Sequence, residues 1–133
     1  MKTKILIADD DIELADLLAA TLRGDGYEVC IALQSEEFRE LVFQFKPDLI
    51  ILDIHYGDEN GPDVYRRLLA EGLDRNIPVV FLSALISLST PQAFPVTPGR
   101  KYAMRGKPFH YSELMHDIKC LLSAGQTSFG QSA

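Results

Sequence analysis

The chain has 133 residues, 47% apolar and 24% charged, and a mean hydropathy close to zero. That length accommodates one domain with a real hydrophobic core and leaves no room for a second, and the composition excludes the disordered and membrane classes. A formal net charge of −6, with no clustered stripe of Lys or Arg, argues against direct nucleic-acid binding.

The first apolar run, Ile5 to Ala8, is nearly continuous, as expected of a strand covered on both faces. It is cut off by Asp9, Asp10 and Asp11, so it cannot serve as a signal-peptide core, and no stretch is long enough to span a bilayer. A cytoplasmic location is the expectation. Ile12, Ala15, Leu18 and Leu22 then have helical spacing, Asp10 stands three residues before Glu13 as in a capping box, and Gly24 and Gly26 close the helix. A second strand runs from Val29 to Leu33. A second helix places Phe38, Leu41, Val42 and Phe45 on one face, with Pro47 behind it. The third strand is Leu49 to Leu52, and the third helix, with Val64, Leu68 and Leu69, begins near Pro62, a residue suited to a first helical turn. Val79 to Leu82 is the fourth strand.

Between Ser87 and Gly99 the pattern breaks. Pro91, Pro95 and Pro98 forbid a regular helix where a fourth would fall, so an irregular loop or a short helix is expected there. Tyr102 to Met104 supplies a short fifth strand, and Leu114, Ile118, Leu121 and Leu122 mark a last amphipathic helix. Residues 1–123 read as the domain and 124–133, small and polar, as a flexible tail or the start of a linker. Cys30 and Cys120 are far apart in sequence and read as ordinary thiols.

Strand and helix therefore alternate, which calls for an α/β fold: a parallel sheet wound on both faces by helices. Ligands of such sheets bind beyond the carboxyl ends of the strands. If the first and third strands are neighbours, as in the flavodoxin-like order 2-1-3-4-5, Asp9 and Asp10 meet Asp53 there. Crowded carboxylates either retain a proton or recruit a cation, and an all-oxygen set suits Mg²⁺, with Mn²⁺ as an alternative. Helix capping would account for a single aspartate, but not for three at one strand end matched by a fourth on the neighbouring strand. Ser83, ending the fourth strand, and Lys107, following the fifth, offer a hydroxyl and an ammonium suited to a phosphoryl group.

In KILIADDD, DLIILDI with Gly61 eight residues past Asp53, FLSA and KPF, the chain resembles the response-regulator receiver family of two-component signalling, from about Lys4 to Leu122. The resemblance implies a doubly wound five-stranded sheet of order 2-1-3-4-5, with Asp53 as the phosphoacceptor. It implies that Asp10 ligates the metal directly, that Asp9 does so directly or through water, and that the main-chain carbonyl of His55 joins Asp53 in completing the protein ligands. Ser83 takes the place of the switch hydroxyl and Lys107 that of the phosphate-pairing cation, in preference to Arg105, with Lys107–Pro108 a candidate cis peptide.

The implied partners are a histidine kinase or phosphotransfer protein as donor and a downstream protein. A homodimer is a further option. This is a signalling module that catalyses only its own phosphorylation and dephosphorylation. Gly57 stands where the family usually has proline, Met104 replaces a common aromatic, and the missing regular fourth helix alters the usual partner face, so output through ordering of the loop from Ser87 to Gly99 is expected. Two other readings stand beside this one: a receiver-like interaction domain independent of phosphorylation, and a small Mg²⁺-dependent phosphohydrolase, against which His55 occupies the place of a second aspartate.

Overall fold

The computed structural model describes residues 2–56, 59–83 and 102–130, with side chains as far as residue 123. In chain order the elements are β1 (Lys4–Ala8), α1 (Ile12–Gly24), β2 (Glu28–Ala32), α2 (Ser35–Gln44), β3 (Leu49–Asp53), β4 (His55–Tyr56), β5 (Glu59–Asn60), α3 (Gly61–Ala70), β6 (Val79–Ser83), β7 (Tyr102–Gly106) and α4 (Tyr111–Gly130). The five long strands form one parallel sheet of order β2-β1-β3-β6-β7, the 2-1-3-4-5 order expected, while β4 and β5 pair antiparallel as a separate two-stranded ribbon. The region Ser87 to Gly99 and Gly57 lie outside the described residues.

Continuous apolar runs make the sheet two-faced. On one side Leu6, Ala8, Ile50, Leu52, Val79 and Phe81 pack with Phe38 and Val42 of α2 and Val64 and Leu68 of α3. On the other, Ile5, Ile7, Leu49, Ile51, Val80 and Leu82 pack with Ala15, Leu18 and Leu22 of α1 and Leu114 and Ile118 of α4. Each such fully buried Leu or Ile contributes about 1.5–3 kcal/mol from apolar burial, and the central strands β1, β3 and β6 have no exposed apolar residue. Edge strand β7 is half-buried at every position.

The helix ends differ from expectation at two places. Asp11, not Asp10, is the N-cap of α1, its Oδ1 accepting the Leu14 N–H at 3.1 Å. One residue decides this, because the chain leaves the sheet at Asp9 and turns into the helix two residues later. Ile12, expected on the buried face, is 56% exposed, since it stands in the first turn beyond the rim of the sheet, and burial begins at Ala15. At the other end, the backbone of α4 continues to Gly130, beyond Leu122 where its apolar spacing ends. No helix among the described residues is long and apolar enough to cross a membrane.

Gly61 opens α3 directly against the end of β3. Its N–H donates to the Ile54 carbonyl at 2.6 Å, and a Cβ at this position would collide with the main-chain carbonyl of Asp53. The glycine is needed here for close approach of two backbones. Gly61→Ala is therefore expected to destabilise the fold by about 1–3 kcal/mol through forced displacement of β3, whereas Gly24→Ala, which meets nothing, changes stability little. Urea unfolding of the two variants beside the parent checks this.

Candidate functional site

Parallel pairing of β1 with β3, in register Ala8 with Leu52, brings the two acidic strand ends side by side. Asp9 and Asp53 are almost fully buried and Asp10 is exposed at the rim, yet one carboxylate oxygen from each lies within 4.8 Å of the others. The loop backbone holds these groups in place. Asp9 Oδ1 accepts the Asp11 N–H at 2.9 Å, and Asp53 Oδ1 accepts the His55 N–H at 3.2 Å.

Lys107 closes the pocket from β7. Its Nζ donates to Asp9 Oδ2 at 2.9 Å and stands 3.4 Å from Asp53 Oδ2. Its own N–H is bound to the Ser83 carbonyl at 2.8 Å, so the ends of β6 and β7 are tied together, and the Lys107–Pro108 peptide is cis, as the resemblance implied. Ser83 is buried at the end of β6, one residue beyond the Asp53–Leu82 register pair. Arg105 is engaged elsewhere: it grips Asp117 of α4 through Nε and Nη2, both at 2.9 Å, which leaves Lys107 as the cation of the pocket among the described residues. The His55 side chain points to solvent. Cys120 is exposed beside His116 on α4, whereas Cys30 is half-buried in β2.

One ammonium among three carboxylates leaves an excess of negative charge in a poorly solvated place. The consequence falls on Asp53, whose carboxyl is pushed up to about 6, first by burial and then by the neighbouring Asp9; Lys107 and the His55 N–H act in the opposite direction. Burial would lower the Lys107 ammonium, but its bonds to Asp9 and Asp53 outweigh this and raise it above its usual range. The donor set, all oxygen and under-neutralised, fits a hard divalent cation, and Asp9, Asp10 and Asp53 are the side chains that would hold it.

The sequence missed the β4–β5 ribbon that follows Asp53, since two-residue strands have no period to read. It also missed the buried Tyr56 within the ribbon, whose hydroxyl donates to the Ala32 carbonyl at 2.7 Å. A tyrosine three residues after an acidic strand end was the available signal, because a buried phenol requires a partner.

The raised carboxyl has a definite sign. Folded Asp53 keeps its proton to higher pH than the unfolded chain does, so its burial costs nothing below about pH 4 and its full amount above about pH 6. In metal-free protein, Asp53→Asn should match the parent's stability near pH 4 and exceed it by about 1–3 kcal/mol above about pH 6.5. Added Mg²⁺ should narrow that gap. Thermal unfolding across this pH range checks both outcomes; a pH-independent difference would contradict the electrostatic origin.

Comparison with known proteins gives the family of the chain. The family model described as response regulator receiver domain matches residues 5–119. The DNA-binding response regulator MtrA of Mycobacterium tuberculosis is 32% identical over 122 residues, covering 92% of this chain and 51% of that protein. The probable transcriptional regulatory protein SilR of Salmonella typhimurium is 33% identical over 129 residues, covering 97% of this chain and 55% of its own. The chain thus spans about half the length of these relatives. A solved putative response regulator from Chloroflexus aurantiacus superposes with a TM-score of 0.79 at 29% identity, covering 92% of this chain and 99% of that one. With a model match across most of its length, and the acidic strand ends, Lys107 and Gly61 disposed as described, the chain belongs to the response regulator receiver domain family.

Proposed function

We propose that this domain, residues 1–123, accepts a phosphoryl group on Asp53 from a histidine kinase or phosphotransfer protein in the cytoplasm, and that modification switches a protein-binding surface. The observation that carries the reading is the convergence of Asp9, Asp10 and Asp53 within 4.8 Å, with Lys107 Nζ against two of them. Asp53 is the best placed nucleophile: it ends a rigid central strand, is held by the His55 N–H, and faces the one cation of the described pocket. In the transfer a carboxylate oxygen of Asp53 forms the new P–O bond as the donor's P–N bond breaks, and the imidazole leaves with the electron pair. Lys107 moves from carboxylate to phosphoryl oxygens, and the Ser83 hydroxyl turns toward the same oxygens.

Asp9, Asp10, Asp53 and the main-chain carbonyl of His55 would hold Mg²⁺, with Mn²⁺ as a substitute. When bound, the ion offsets the carboxylate charge and that of the incoming phosphoryl group. Phosphorylation adds charge and acceptor oxygens at the end of β3, and the reorganised Ser83 and Lys107 transmit this to β6 and β7. The domain acts on itself and does not turn over an external substrate. MtrA is a DNA-binding response regulator, but the net charge of −6 on this chain argues against direct DNA contact by this domain. Residues 124–133 are proposed as a tail or the start of a linker.

Intact-mass measurement after incubation with acetyl phosphate and Mg²⁺ tests the assignment. The parent should gain one phosphoryl group, Asp53→Asn none, and the parent with the metal chelated should gain far less. Equal gain in Asp53→Asn would move the acceptor elsewhere, and rapid turnover of a phosphomonoester would revive a phosphohydrolase.

A further inference from the structure

Tyr56 is the largest fully buried side chain among the described residues, at 1% exposure, and the chemistry above does not use it. Its ring meets Phe38 of α2 edge to face, with centroids 6.1 Å apart, and burial holds the phenol well above its usual pKa, so that it remains a donor. Apolar burial alone would account for the ring but not for the hydroxyl.

The hydroxyl donates to the Ala32 carbonyl at the end of β2, at 2.7 Å. That same carbonyl accepts the main-chain N–H of Asp9 at 3.2 Å. A single acceptor therefore joins two loops: the one leaving β1, which carries Asp9 and Asp10, and the one leaving β3, which carries His55. The peptide group between His55 and Tyr56 contains the His55 carbonyl, so anchoring Tyr56 also restrains that carbonyl. The other side of this loop is held separately, with the Ile54 N–H on the Leu82 carbonyl at 2.8 Å and the Ile54 carbonyl under the Gly61 N–H at 2.6 Å. Tyr56 supplies the tie across the pocket, toward the acidic loop.

We propose that the Tyr56 hydroxyl is a positioning group of the cation site, fixing the His55 peptide and the Asp9 loop at one mutual distance through the shared Ala32 carbonyl. This rests on the reading of Asp9, Asp10, Asp53 and His55 as metal ligands. It follows the general behaviour of metal sites, in which groups that orient the ligands control affinity without touching the ion. Removing the hydroxyl leaves the ring, its contact with Phe38, and a bonded Ala32 carbonyl, so the fold keeps its packing while the two loops lose their common anchor.

The test is calorimetric titration of the full chain with Mg²⁺ alone, for the parent, Tyr56→Phe and Phe38→Leu. Tyr56→Phe should bind Mg²⁺ about tenfold more weakly with a thermal midpoint little changed. Its phosphorylation by acetyl phosphate should be slow at limiting Mg²⁺ and recover at saturating Mg²⁺. Phe38→Leu should lower the midpoint through lost packing while keeping the parent's Mg²⁺ affinity. Parent-like Mg²⁺ affinity in Tyr56→Phe overturns the proposal, as does an equal loss in Phe38→Leu, which would show general loosening. A parent chain that takes up no Mg²⁺ would sink the metal reading itself, a result distinct from a failure confined to Tyr56.

Discussion

Two carboxylates, Asp9 and Asp53, sit nearly buried on adjacent strand ends with one ammonium, Lys107, wedged against both. Such an arrangement is costly in a poorly solvated place, because like charges at this separation repel strongly and one lysine cannot neutralise three acids with Asp10 close by. The imbalance leaves the cluster under-neutralised, an arrangement suited to a hard cation. Lys107 is held by the same carboxylates, Asp9 and Asp53, that a metal or a phosphoryl group would engage.

The rest of the fold keeps these groups from relaxing apart. Both faces of β1, β3 and β6 are sealed by helices, which fixes the height of each strand end to within the tolerance of a packed core. Gly61 brings α3 onto the Asp53 carbonyl from one direction, while the Lys107 N–H on Ser83 ties the fourth and fifth strands of the sheet together from the other. Arg105 grips Asp117 and binds edge strand β7 to α4. The strained electrostatics are confined to a few side chains on a rigid frame, which is where preorganised chemistry is best placed.

The ribbon after Asp53 has a different character. It is short, antiparallel and outside the main sheet, and its stability comes from side chains: Tyr56 reaching inward to β2, and Glu59 paired with Arg67 of α3. Glu59 is held below the usual carboxylate range, by its bond from Ser35 first and by Arg67 next. A loop pinned at its sides can be precise without being part of a layer.

Much of this was legible in the residues alone. Nearly continuous apolar runs marked four of the five strands, because burial on two sides removes the alternation of a half-exposed strand, and the helical spacing of Ala15, Leu18 and Leu22 survived intact. Acidic strand ends with a distant hydroxyl and lysine identified the pocket, since that mixture is costly unless it serves an ion or an anion. Three-dimensional packing decided what depends on a single residue's offset or on contacts remote in sequence. The capping of α1 went to Asp11, Ile12 fell outside the core, and Arg105 went to Asp117 instead of the pocket. The joining of Asp9 and Tyr56 on one Ala32 carbonyl belongs with these. Local pattern determines which residues want to be buried or charged together, whereas the partner each finally meets is set by the register of strands dozens of residues apart.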